Sequence, residues 1–181
     1  MSFKTENQIW KDLVGVIDGY LATSGQTGWI TTPADQPIPV GISDKMVLVS
    51  RVFMRPVGWQ GSEDKDIGYN YTHIEKQRAE LRLQLSFLCQ RHPATDTVTT
   101  WTANDMAEHL RMFLNSYKGI RQLAELGYRT LRCTTIRNAS FIDDSETYEF
   151  NPSFDLTLLY EQTLESEAIA ANLGALTTKP I

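Results

Sequence analysis

Apolar side chains fall on one parity of the chain from Tyr148 to Tyr160. Tyr148, Phe150, Phe154, Leu156, Leu158 and Tyr160 share a face. Glu149, Asn151, Ser153, Asp155, Thr157 and Glu161 take the other, with Leu159 as the one apolar residue among them. A period of two over that many residues specifies a strand across 146–161, with one apolar and one solvated face. Its length far exceeds the ~20 Å of an ordinary strand and outruns the core of a small domain, so part of it is expected to meet another subunit. Pro152 interrupts the run without shifting its parity. A bulge would switch the phase, so the proline is expected at a sheet edge or at a local end of pairing.

The remaining elements follow from periodicity and punctuation. Thr5 and Gln8 have capping-box spacing ahead of a stripe of Ile9, Leu13, Ile17 and Leu21, which predicts a helix over 6–22 closed by Ser24-Gly25. Three prolines, Pro33, Pro37 and Pro39, make 24–45 an extended arm. The segment 45–56 is apolar on both parities, which predicts a strand covered on two sides. The glycine- and acid-rich stretch 57–78 reads as a long loop, and 79–90 as a second strand alternating Leu81, Leu83, Leu85 and Phe87 with polar residues.

A third signal set lies after Trp101. Thr102 as N-cap with Asp105 three residues on opens a helix whose stripe is Met106, Leu110, Phe113, Leu114 and Tyr117, with Lys118-Gly119 as its stop. A short helix at 120–126 ends at Gly127. A strand at 128–137 and a turn at 138–145 lead into the long strand. The order α-β-β-α-β-β predicts an α+β fold, an antiparallel or mixed four-stranded sheet with helices packed on it. Residues 1–162 are expected to form one domain, with 163–181 as a C-terminal extension that is weakly helical over 166–175.

Composition excludes more than it assigns. A net charge of −5 over 181 residues, with no run of Lys or Arg, argues against a protein that coats nucleic acid by neutralising phosphates. The first residues lack the apolar core of a signal peptide, no run is long enough to span a bilayer, and the chain is read as cytoplasmic at synthesis. Cys89 and Cys133 are expected as reduced thiols on strands. His73, His92 and His109 have no ligand partner at metal-binding spacing, and Glu63, Asp64 and Asp66 lack the acidic residue that would complete a calcium loop. Cys89 with His92 could act as nucleophile and base only if the strand stopped at Cys89. No catalytic residues, metal or cofactor are therefore assigned, and the chain is not expected to be an enzyme. Trp59, Tyr69 and Tyr71 lie among Gly, Asp and Glu; they either face a partner or tuck back onto their own sheet.

The succession of an N-terminal helix, the arm with Gln36-Pro37-Ile38-Pro39, the strand Met46-Val47-Leu48-Val49, the strand Glu80-Leu81-Arg82-Leu83-Gln84-Leu85, a helix, the Leu126-Gly127-Tyr128 break and a final strand pair resembles the neck and tail-terminator proteins of tailed bacteriophages. The resemblance runs from about Ile30 to Gln162 and lies in element order and alternation. It implies a virion protein assembled in the host cytoplasm: a ring, usually of six copies, that caps the tail tube and ends its polymerisation. Its implied partners are further copies of itself, the tail tube and sheath, and the head connector, with DNA passing through the lumen unspecifically. A head-completion connector or a tube protein is the neighbouring alternative, and a small ligand-binding or enzymatic domain the distant one. Trp59, Tyr69, Tyr71, Tyr148, Phe150 and Phe154 are the expected contact residues.

Overall fold

The computed structural model describes residues 4–26, 28–34, 45–66, 70–89, 101–142 and 148–169. Among them are three helices and six strands: α1 (Glu6–Thr23), β1 (Ile30–Pro33), β2 (Lys45–Asp66), β3 (Asn70–Cys89), α2 (Ala103–Asn115), α3 (Tyr117–Glu125), β4 (Tyr128–Cys133), β5 (Arg137–Ile142) and β6 (Tyr148–Ile169). The fold is α+β with one mixed sheet, as the element order predicts, but of six strands against the expected four, because β1 forms within the arm and β5 within the expected turn. The sheet order is β1-β2-β3-β6-β4, and β5 also pairs with β6. Only β1 runs parallel to its neighbour, β2.

The helix ends obey local chemistry. Thr5 Oγ1 accepts from the Gln8 N–H at 3.3 Å, and Thr102 and Asp105 form a complete capping box at the start of α2. The expected stop at Lys118-Gly119 does not occur. Ser116 ends α2 and caps α3, and Gly119 lies inside α3 because a Cβ there would sit 2.2 Å from the Phe113 carbonyl oxygen. Glycine marks a close approach of two helices here, and Tyr117, expected in the α2 stripe, is instead exposed on α3.

The three helices cover one sheet face. Ile9, Leu13 and Ile17 of α1, Met106, Leu110 and Leu114 of α2 and Leu123 of α3 pack on Val47, Val49, Leu81, Leu83, Leu85, Phe154, Leu156 and Leu158. The apolar residues on both parities of β2 do not mean a second covering layer. A register shift between Arg51 and Phe53 switches the phase, so that Met54 opposes Leu81 on the helix face. Val52 and Met54 remain about half exposed.

β4 and β5 act as one interrupted strand along β6. Tyr128–Cys133 pairs with Tyr160 back to Leu156, and Arg137–Ile142 continues from Ser153 to Tyr148. Pairing of β3 with β6 stops at Ser86↔Ser153, so Pro152 lies where the pairing on the β3 side ends, while on the other side it still opposes Asn138 of β5. The turn expected over 138–145 is strand up to Ile142.

The largest departure concerns 57–78. Its described residues, 57–66 and 70–78, are strand: β2 and β3 stay paired out to Asp66↔Tyr71, and β6 follows β3 to Asn70↔Ile169. Ser166–Ile169, expected to be helical, are therefore strand. At ~3.3 Å per residue the 22 residues of β6 extend roughly 70 Å. Residues 170–181 of the extension, and 27 and 35–44 of the proline arm, lie outside the described residues, although the arm contributes β1.

Candidate assembly surface

The core shared with the helices ends at Ala79 and Tyr160. Beyond it β2, β3 and β6 continue as a three-stranded ribbon; the nine β6 residues 161–169 alone correspond to roughly 30 Å. Cross-strand polar pairs hold the ribbon. Asp64 Oδ1 lies 2.5 Å from His73 Nδ1, Gln60 donates to Glu75 at 2.6 Å, Lys76 meets Glu63 at 2.9 Å, and Arg55 donates Nε and Nη2 to Glu80 Oε2 at 3.0 and 2.9 Å. The hydrogen bond to Asp64 raises the His73 pKa above its ordinary value, and the bond between Lys76 and Glu63 raises the first and lowers the second. Exposed pairs of this kind set register more than stability.

A second register shift, between Val57 and Gly61, sets three β2 residues against the single Gln77 of β3. Gly58 adopts φ +79°, a conformation that favours glycine, and Trp59 leaves the sheet at 99 % exposure. Among the described residues no other large hydrophobic side chain is so bare. The other expected contact residues are placed differently. Tyr69 lies outside the described residues; Tyr71 opposes Asp66 and Ala168 at the end of the ribbon; Tyr148 and Phe150 oppose Ile142 and Ser140. Phe154 is a correction. It is fully buried in the protomer's own core, 5.7 Å from Phe87 between ring centroids, and has no surface to offer.

Where the ribbon leaves the core, a groove of about 280 Å³ opens between the start of α1 and the sheet. Ile9, Trp10, Met54, Leu81, Leu83 and Tyr160 make its apolar walls, with Lys4, Glu6, Arg51 and Gln162 around them. Arg51 pairs with Glu6 at 2.8 Å across the groove's end. The α1 wall is anchored by Asp12, which accepts from Lys4 at 2.7 Å, Gln8 at 2.7 Å and Tyr128 at 2.9 Å. Burial pushes the Asp12 pKa up, but these bonds outweigh it and hold the group below its ordinary value. Lys4 also donates to the Leu126 carbonyl and stands 4.0 Å from the Tyr128 ring centroid. Sequence periodicity cannot find this groove, because it depends on the β2 phase switch; the apolar Met54, out of step with Val47 and Val49, is its one trace.

The opposite sheet face is not the solvated one that alternation predicts. Ser153, Asp155 and Thr157 are buried. Asp155 accepts from Arg82 Nε at 3.0 Å and Nη2, and from Arg137 Nη2 at 2.6 Å; the Arg82 guanidinium also lies 5.9 Å from the Phe53 ring centroid. Two guanidiniums from the flanking strands satisfy one carboxylate, which lets a charged residue sit 3 % exposed in mid-strand.

No group of three or more His, Cys, Asp or Glu residues suited to a metal ion occurs among the described residues. Both cysteines are reduced thiols, and burial pushes Cys133 up to about 11, which suppresses its thiolate. His92 lies outside the described residues, so its relation to Cys89 has no geometry here. His109 stacks on Trp101 at 4.1 Å. No described helix is long and apolar enough to cross a membrane.

The distinctive features of the fold and surface are a ribbon beyond the core, a bare tryptophan and an apolar groove. Residues 9–170 match the family model described as E217 gateway protein gp29. The chain belongs to that family, one of phage structural proteins, which upholds the broader class implied by the resemblance. No curated protein matches it.

Proposed function

We propose that the chain is a structural protein of a phage neck that closes into a ring, of six copies, on the head-proximal end of the tail tube. There it ends tube polymerisation and presents a docking surface for the head connector, while DNA passes through the lumen without specific binding. The observation that carries this reading is the ribbon of β2, β3 and β6 with Trp59 exposed upon it, in a chain of the gateway family. A lone globular domain gains nothing from three strands that outrun its core, whereas a subunit that must reach its neighbours does. Exposed apolar residues also occur in a second place, Met112, Tyr117 and Ile120 on α2 and α3. Two unlike patches on one chain suit a heterologous interface, which closes into a ring when its rotation permits. Tyr71, Tyr148 and Phe150 serve as further contact residues in this reading.

Light scattering and negative-stain images of the purified protein, alone and mixed with tail-tube ends, test the proposal. Closed rings of one diameter are expected in at least one condition. Open tubes that grow with concentration would instead identify a tube protein, and a monomer in both conditions sinks the ring.

A further inference from the structure

We infer that Trp59 of one copy inserts into the α1–sheet groove of the next, so that a knob on the ribbon and a hole beside the core form the repeating subunit contact. The inference rests on the ring reading and specifies its interface. Three observations carry it. The bulge built on Gly58 expels Trp59 from its own sheet, and Trp59 lies outside the groove of its own chain, since it is 99 % exposed. The groove, at about 280 Å³, is of a size to take an indole, and its walls are the apolar side chains Ile9, Trp10, Met54, Leu81, Leu83 and Tyr160. The surroundings also differ in charge. Lys4 and Arg51 at the groove are balanced by Asp12 and Glu6, whereas the ribbon that carries Trp59 (57–66, 70–78 and 161–169) holds seven acidic side chains against three basic ones.

Knob and hole lie on different parts of the chain, so each copy offers one and accepts the other, as a head-to-tail ring requires. The indole nitrogen has Gln162 and Glu6 within the set of groove residues as acceptors, which suits tryptophan better than phenylalanine.

The test uses the full chain. Trp59→Ala is expected to raise the concentration for half-assembly by about 30-fold or more, the effect of losing an interface hot spot, and Trp59→Phe by less. Met54→Glu, at a half-exposed groove position, is expected to match Trp59→Ala while circular dichroism and thermal melting stay those of the wild type. Benzoylphenylalanine placed at position 59, in mixtures of isotopically heavy and light copies, is expected to cross-link between copies to peptides carrying Ile9, Trp10 or Met54. Rings formed by Trp59→Ala at the wild-type concentration, or cross-links confined to another surface, overturn the knob and hole and leave the ring standing. A wild-type chain that never forms rings overturns both.

Discussion

Asp155 sits in the middle of the longest strand, where alternation assigns it to water, yet it is nearly inaccessible and held by Arg82 and Arg137. Removing one partner of a buried ion pair leaves an uncompensated charge, and the cost falls on the chain more than on any one bond. Here both guanidiniums keep a path to solvent, which moderates that cost. Asp155→Asn is therefore expected to destabilise the fold by about 2–4 kcal/mol, read from urea or thermal unfolding. A loss below about 0.5 kcal/mol means that the arginines are equally well placed without the carboxylate. The same scale explains Gly119, where the absence of a Cβ lets α3 approach the Phe113 carbonyl.

At the scale of elements, the ribbon is held together by exposed polar pairs, and one of them titrates. His73 has its pKa raised by the hydrogen bond to Asp64, with further help from Glu75. A group whose folded pKa lies above its unfolded value stabilises fully below the unfolded pKa, about 6.5 for histidine, and loses that contribution as pH rises through the folded value. The distal pairing of β2 with β3 is thus expected to be tightest in mild acid and to loosen as the pH passes above neutral. Titration of the His73 ring by NMR checks this: its midpoint should lie above 6.5 and fall in Asp64→Asn, and an unchanged midpoint in that variant removes the pair. Asp12 works in the opposite sense. Its lowered pKa means that the anchor of α1, and with it one wall of the groove, is lost as pH falls through the folded value.

For the molecule as a whole, the decisive balance is between a compact helix-covered core and a sheet that continues past it. The core can fold within one chain; the ribbon exposes Trp59, and Leu164 lies more than half exposed upon it. Charge acts at this scale too. A chain of net charge −5 without a basic run should not retard duplex DNA in a gel at physiological salt, even at concentrations where it assembles. Retardation with a steep salt dependence would mean that the assembled surface gathers its cations into a binding track, contrary to the proposed passive lumen.

Alternation over 146–161, the Thr5 and Thr102 caps and the glycines at Gly25 and Gly127 determined the α+β class, the helix boundaries to within a few residues and the faces of β3 and β6 turned to the core, because each is a local or period-two property. Trp59 was likewise legible as an aromatic with nothing near it in sequence to cover it. Only the tertiary structure decided the rest. Strand pairing drew 57–66 and 70–78 into a ribbon and carried β6 to Ile169, since a paired neighbour outweighs weak intrinsic preference. Two bulges turned Met54 toward the groove and Trp59 away from the sheet; packing took Phe154 from the surface; and arginines from other strands closed over Asp155. Each of these depends on contacts between residues distant in sequence, which one strand's own pattern does not contain.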